Sequence, residues 1–432
     1  KLEADNIDKE KDYIEEVEVR NQLNNKEKEI YKENNNELNN ENVEILSEEN
    51  GNYKELKDIR VLVGKEERIN KNIYWEYGNK ELNNRHLFIS GRSGTGKTYC
   101  IQCLLYELTK QGVPAIIFDY TDGFREDKLD PIFREFLGER LKQKIVMFEK
   151  FDINPFKRQK ISISGFTKDE EDIDIARRIA ETFKSVYSLG DQQFSNLYTA
   201  TRNGLEKFGD KMDFSILAQE LEELGTKEAK TTLSKIQVFL DTKAFDNNSE
   251  FSWEKLIKSD GDVFIVQLTG YTRDVQTLLT TLILWDIWNY ARRFGSEDNP
   301  FVVVLDEAQN LDHSETSPSG YILTEGRKFG VSGWYATQFL KGQMDIDEIG
   351  RLQQAAQKIY FAPPETEIKD IARIIDSDAK EAKIWEEKLK FLGKGECVIS
   401  GQMKQPNSER LIRYSPKIIK VSSLEERKNG NL

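Results

Sequence analysis

A glycine-rich run, Gly91-Arg92-Ser93-Gly94-Thr95-Gly96-Lys97-Thr98, carries the spacing G-x-x-x-x-G-K-[ST]. Glycines at these places let backbone N–H groups converge on one point, and a helix starting there adds its positive end, so the run suits a polyphosphate. Lys97 is placed to reach the outer phosphates and the Thr98 hydroxyl to ligate Mg²⁺; the run together with Tyr99 is the candidate nucleotide-binding set. A plain glycine turn has similar letters. The apolar stretch His86–Ser90 before the run and the helical period after it supply the strand and helix that this chemistry requires.

Two further runs end in groups that could complete the reaction. Phe301-Val-Val-Val-Leu305 is a buried-strand pattern followed by Asp306 and Glu307. Beside a phosphate loop, Asp306 is expected to hold Mg²⁺ and Glu307 to accept a proton from an attacking water. Gly333-Trp-Tyr-Ala-Thr337 leads to Gln338, which could sense a terminal phosphate or orient that water; a solvated strand end is the plainer reading. The expected cofactors are ATP and Mg²⁺.

Other chemistry is poorly supplied. The chain has two histidines, His86 and His313, and three cysteines, Cys100, Cys103 and Cys397, too few for a disulfide framework. Cys100-x-x-Cys103 lies on the helix after the loop, with no second Cys/His pair to complete four metal ligands. Glu126-Asp-Lys128 superficially suggests a metal-dependent nuclease but falls in an expected loop. The basic clusters Lys157-Arg158-Gln-Lys160 and Arg292-Arg293 could touch nucleic-acid phosphates, although a solvated surface is the default for such clusters.

The elements around these groups alternate strand and helix, the pattern of a parallel α/β sheet. Beyond a β-rich lead-in from Ile59 and the strand His86–Ser90, strands are expected at Ala115–Asp119, Lys144–Phe148, Val263–Leu268, Phe301–Leu305, Gly333–Thr337 and Lys358–Phe361. A hairpin near Glu396–Met403 is expected to close the fold. Between about 165 and 258 the chain is helical in pattern: Ile175, Ile179, Phe183 and Val186 form a stripe, with further helices near 192–208, 214–224 and 227–241. The organisation read from this is a linker or disordered segment at 1–55, a first core part at 56–164, an inserted helical subdomain at 165–258, and a second core part at 259–432.

The first 50 residues hold 16 acids and seven bases, a net of −9 out of −13 for the whole chain, so the acidity belongs mostly to this segment. It cannot bury enough apolar surface to offset its ordering entropy, although a partner-binding helix at Tyr13–Leu23 is conceivable. The most apolar stretch, Leu278–Tyr290, is interrupted by Asp286 and is shorter than the ~20 residues a membrane span needs. A reducing cytoplasm is the expected location, with no membrane partner. Lys1 in place of Met suggests a piece of a longer protein.

The order of motifs carries a resemblance. HLFISGRSGTGKT, IIFDYTDGF, INPF, VVVLDEAQNL, EGRKFGVSGWYATQ and LGKGECVISG, spread from Ile59 to Met403, are similar to the HerA/FtsK group of DNA-pumping ATPases. The block YWEYGNKELNNRHLFISGRSGTGKTY and the DYTDGF segment most resemble the ATPases of the DptH (DndH) family, from DNA phosphorothioation-dependent restriction systems. The resemblance implies an α/β P-loop NTPase fold of RecA-like type, ATP hydrolysis, and a translocase or helicase acting on double-stranded DNA. It also implies a homo-oligomeric ring, a hexamer among the options, and partner subunits such as DptF and DptG.

Residue by residue, the resemblance implies Lys97, Thr98, Asp306, Glu307 and Gln338 in the roles given above. Such motors complete each site with a neighbour's arginine, for which Arg327 and Arg351 are the candidates; a salt bridge within the chain is the commoner role for each. Asp119-Tyr-Thr-Asp122-Gly123 departs from the group's Asp-Pro-His-Gly-Glu, which leaves Asp122 without an assigned role. Two other readings share these motifs: a conjugation or secretion ATPase of the VirB4 type, and an assembly protein that nucleotide binding merely orders.

Overall fold

Short apolar runs separated by helical stretches fold into one large sheet sandwiched between helices. The computed structural model describes residues 55–163, 166–247, 251–340, 344–404 and 410–430. Apart from Glu55, the expected linker and the Tyr13–Leu23 helix fall outside these residues.

The strands are β1 (Val61–Glu66), β2 (Lys71–Trp75), β3 (Leu87–Ser90), β4 (Ala115–Asp119), β5 (Leu141–Ile145), β6 (Lys160–Ile163), β7 (Phe166–Asp169) and β8 (Val263–Gln267). They continue as β9 (Phe301–Leu305), β10 (Val331–Thr337), β11 (Gln357–Tyr360), β12 (Glu396–Ser400), β13 (Gln402–Lys404), β14 (Leu411–Arg413) and β15 (Lys417–Val421). The helices are α1 (Lys97–Thr109), α2 (Pro131–Leu137), α3 (Asp172–Tyr187), α4 (Asp191–Phe208), α5 (Phe214–Leu224), α6 (Lys227–Thr242) and α7 (Trp253–Ile257). Then come α8 (Arg273–Phe294), α9 (Pro318–Glu325), α10 (Ile346–Leu352), α11 (Ile368–Ile375), α12 (Ala379–Lys390) and α13 (Leu424–Lys428).

Eleven strands form the main sheet in the order β2-β1-β15-β12-β11-β3-β10-β9-β4-β8-β5. From β11 to β5 every pairing is parallel; from β2 to β11 every pairing is antiparallel. This is the mainly parallel α/β P-loop sheet expected.

The central strands read as unbroken apolar runs because both faces are covered. Successive side chains alternate between two cores. Phe88, Ile116, Phe118, Val303 and Leu305 pack with α8 and the α3–α6 helices on one side. Leu87, Ile89, Ile117, Val302 and Val304 pack with α1 and α2 on the other. The parallel strands β3, β10, β9, β4 and β8 lie side by side, so the residues that follow them all emerge along one edge of the sheet. That edge carries the site.

Two expectations shift. The strand expected at Lys144–Phe148 is β5, at Leu141–Ile145. It is an outer strand whose residues are only half-buried, so it lacks the apolar signature, and the apolar letters after it form a turn that leaves Phe148 exposed. The hairpin expected near Glu396–Met403 is longer: β12 and β13 form one arm, β14 and β15 the other, with Cys397 opposite Ile419 and Met403 opposite Ile412. The return arm has one extra residue around Tyr414, a bulge that separates the sheet-bound part from the projecting ribbon. Among the described residues no helix is long and apolar enough to cross a membrane.

Candidate functional site

The loop Gly91–Thr98 joins β3 to α1 and is held from three sides. Gly91 N–H donates to Thr337 O (3.3 Å), Arg92 N–H to Ala362 O (2.9 Å), and Gly395 N–H to Thr95 O (3.1 Å). Gly91 has φ +150°, and a Cβ there would stand 2.6 Å from Phe361 Cβ; no other residue type fits. Gly96 caps α1 at φ +115° without a side-chain acceptor, so the first N–H groups of the helix keep their donors for a ligand. Arg92, Ser93 and Gly94 form the exposed crest, where a Cβ on Gly94 would meet open space.

Lys97 is buried. Its ammonium donates to Gly91 O (2.6 Å) and Arg92 O (3.2 Å), within reach of the phosphate cradle. Burial pulls it below the usual lysine range, opposed by the charges of Asp306 and Glu307. Thr98 is half-buried under the loop that follows β4, where a Cβ on Gly123 would lie 3.3 Å from Thr98 Cγ2. Tyr99 sits in the first turn of α1, and its hydroxyl accepts from Leu424 N–H (3.0 Å), tying α1 to α13 and leaving only its backbone for a phosphate. One residue further round the helix, the side chain faces away from the cradle.

Asp306 and Glu307 follow β9, one strand over from β10. Asp306 is 6% exposed, and its carboxyl is pushed up to about 7 by burial, then by the charges of Glu307 and Asp119. Its Oδ1 accepts the N–H of Glu307 (3.0 Å). A hydroxyl and a buried, electron-rich carboxylate are hard oxygen donors, so Thr98 and Asp306 fit a Mg²⁺ ion.

Glu307 has φ +51°, a left-handed conformation rare outside glycine, which aims its side chain along the sheet edge. Gln338 Nε2 donates to Glu307 Oε1 and Gln309 Nε2 to Glu307 Oε2. Asn310 Nδ2 donates to Glu307 O (3.0 Å), and His313, fully buried, contacts Ala308 O through Nε2 (2.8 Å). The structure therefore brings Lys97, Asp306, Glu307 and Gln338 together.

Two contributors had weaker signals. Asp119 ends β4, next to β9, and its buried carboxylate accepts the N–H groups of Thr121 (3.0 Å) and Phe124 (2.8 Å). Burial pushes its carboxyl above the usual range. An apolar run ending in Asp is the same pattern as at Asp306 and could have flagged it. Gln309 had no sequence signal, since only tertiary contacts show which way its amide points.

The candidate arginines do not join the cluster. Arg327 precedes β10 and so lies at the opposite edge of the sheet, where it pairs with Glu297 (2.8 Å) and donates to Asn83 O and Lys80 O. Arg351 donates to His313 O (2.7 Å) and lies 3.8 Å from Glu315. Both guanidinium groups serve their own chain.

The basic clusters are also largely balanced. Lys157, Arg158, Lys160 and Arg293 line a cavity of about 840 Å³ together with Asp152, Asp169, Asp210 and Asp286. Arg158 pairs with both Asp172 (2.7 Å) and Asp210 (3.1 Å). Glu126–Lys128 form an exposed 3-10 turn. Cys100 and Cys103 lie on the buried face of α1, and burial pushes the Cys103 thiol up to about 11.

Residues 77–287 match the family described as "Helicase HerA, central domain", a span that holds the phosphate loop and ends before β9. The DNA double-strand break repair helicase HerA of Saccharolobus solfataricus is 24% identical over 387 residues, covering 85% of this chain and 71% of that protein. The solved structure of VirB4 from Thermoanaerobacter pseudethanolicus superposes with a TM-score of 0.60 at 17% identity, over 84% of this chain and 96% of that one. The plasmid coupling protein TrwB, solved with a non-hydrolysable ATP analogue, gives 0.53 at 15% identity, over 78% and 85%.

Proposed function

We propose that this chain, a HerA-like P-loop ATPase, uses ATP hydrolysis to move along double-stranded DNA. The observation that carries the hydrolase part is Glu307. It directly follows the buried Asp306, shares an edge with Lys97, and is oriented by two amides rather than neutralised by a salt bridge. A carboxylate so placed can accept the proton of a water attacking the terminal phosphate.

In this reading the phosphates lie on the N–H groups of the loop at the α1 terminus. Lys97 exchanges its bonds to Gly91 O and Arg92 O for phosphate oxygens, which costs little because the ammonium already points there. Mg²⁺, when bound, supplies charge that offsets that of the phosphates, with Thr98 and Asp306 as its protein ligands. Glu307 takes the proton from water, and Gln338, beside it at the end of β10, aligns the water or the terminal phosphate.

DNA enters through kinship: the HerA relative at 24% identity is a DNA double-strand break repair helicase, and the fold is shared with VirB4. The finer reading is a motor of a phosphorothioation-dependent restriction complex, working as a cytoplasmic ring with subunits of the DptF and DptG kind. It rests on the YWEYG-to-GKTY block and the DYTDGF segment. We read 165–258 as the inserted helical subdomain of that motor and 1–55 as its linker. Arg327 and Arg351 stay the candidates for the group donated to a neighbouring site, and each would have to leave the partner it holds within its own chain.

The test is steady-state ATP hydrolysis with and without duplex DNA, alongside mass measurement in solution. Duplex DNA should stimulate turnover, and Lys97→Ala or Glu307→Gln should abolish it. DNA stimulation that survives both substitutions sinks the proposal. One alternative is a conjugation or secretion ATPase of the VirB4 type, with whose structure this chain shares its fold. Turnover indifferent to DNA, with co-purification of a membrane channel, would select it.

A further inference from the structure

We propose that Gln309 is a positioning residue that fixes one oxygen of the Glu307 carboxylate, while Gln338 holds the other until the terminal phosphate of a nucleotide draws it away. The proposal rests on the assignment of Glu307 as the base that activates water.

The two amides are not equivalent. Gln309 is 5% exposed, its Nε2 donates to Glu307 Oε2, and its Oε1 lies 2.8 Å from the Thr337 hydroxyl, whose single proton is shared with Phe339 O (2.6 Å), so burial and the carboxylate together orient the amide. Gln338 is half-buried and directly follows β10. That strand neighbours β3, and Thr337 O receives the N–H of Gly91 at the root of the phosphate loop. Gln338 thus stands between the carboxylate and the cradle, with a second amide N–H to offer. Each donor on Glu307 competes with water for the carboxylate lone pairs. Loss of the Gln338 contact frees Oε1 for the attacking water, while the Gln309 contact keeps the carboxylate aimed. The left-handed backbone at Glu307 takes it out of the extended run of β9, and the Gln309 amide two residues on holds its side chain from the same loop.

The test compares Gln309→Leu and Gln309→Met, which keep the volume but remove the donor, with Gln338→Leu. The readouts are ATP turnover and the binding of ADP and a slowly hydrolysed ATP analogue. Either Gln309 variant should lower kcat about tenfold to a hundredfold and leave analogue affinity within about twofold. Added to Glu307→Gln, Gln309→Leu should change the single-turnover rate less than about twofold, since no carboxylate remains to orient. Gln338→Leu should weaken the analogue about tenfold relative to ADP. Native kcat in both Gln309 variants, or a loss that persists undiminished in the Glu307→Gln background, overturns the positioning role. An unchanged preference for the ATP analogue over ADP in Gln338→Leu overturns the handover. Absence of turnover in the unsubstituted chain would instead remove the hydrolase reading beneath it.

Discussion

Gly123 lies over Thr98: a Cβ on the glycine would stand 3.3 Å from Thr98 Cγ2 and 3.7 Å from its Oγ1. The loop after β4 thus packs beside the side chain expected to hold Mg²⁺ and leaves little room for a further side chain there, and Asp119 anchors that loop by accepting the N–H groups of Thr121 and Phe124.

Gly123→Val should therefore raise the Mg²⁺ concentration needed for half-maximal ATP hydrolysis by about tenfold, because the Thr98 side chain must shift to make room for the added methyls. The thermal midpoint should move little, since Gly123 is only half-buried and its φ is not in the left-handed region. A Mg²⁺ titration of the variant matching that of the native chain would show that the loop has no part in the site.

Glu307, the proposed base, has a strained backbone at φ +51°. Glu307→Gly should abolish turnover yet stabilise the fold by about 1 kcal/mol, because glycine adopts this conformation without penalty. Glu307→Gln keeps the strain and should bind ATP like the native chain while hydrolysing it at least ~100-fold more slowly. Differential scanning of the three proteins separates strain from chemistry: equal midpoints for Gly and Gln would contradict the strain.

His86 is buried, its Nδ1 accepts from Gly333 N–H (2.9 Å), and burial pulls its pKa down to about 4 from 6.5. As pH falls from about 6.5 to 4 the unfolded chain binds a proton here that the folded chain refuses, so stability is lost in that window and is fully present above it. The loss from this residue approaches roughly 3 kcal/mol at pH 4. His313, also buried and lowered, acts in the same direction. Urea unfolding at pH 7, 5.5 and 4.5 should show this slope, and His86→Gln should flatten it; an unchanged slope would mean that His86 is not the proton acceptor.

Arg327 ties the segment before β3 to the region before β10 through Glu297, Asn83 O and Lys80 O. Arg327→Ala should lower stability by about 1 kcal/mol, discounted for its partial exposure. Turnover per folded molecule should stay within about threefold of native. A hundredfold loss of DNA-stimulated hydrolysis with an intact thermal midpoint would mark it as a group donated to a neighbour's site.

Legibility followed what each residue type must do locally. Gly91, Gly96, Lys97 and Thr98 were readable because loop, helix start and ligand chemistry are all determined within eight residues. Phe301–Leu305 and Ala115–Asp119 were readable because strands covered on both faces must be continuously apolar. β5 was misplaced because an outer strand is released from that demand. The closing hairpin came out short because its bulge at Tyr414 and its return arm depend on pairing between residues some twenty positions apart.

By itself the sequence determined that a phosphate loop lies between a strand and a helix, and that an Asp-Glu pair ends another strand, since both depend on neighbours in the chain. Tertiary structure decided which strands stand next to one another. The order β3-β10-β9-β4 puts Gln338, Glu307 and Asp119 along the edge that carries Lys97. It also turned Tyr99 toward α13, sent Arg327 to the far edge, and aimed the amide of Gln309 at Glu307. Side-chain direction and strand neighbours are settled by packing across hundreds of residues, and no local pattern encodes them.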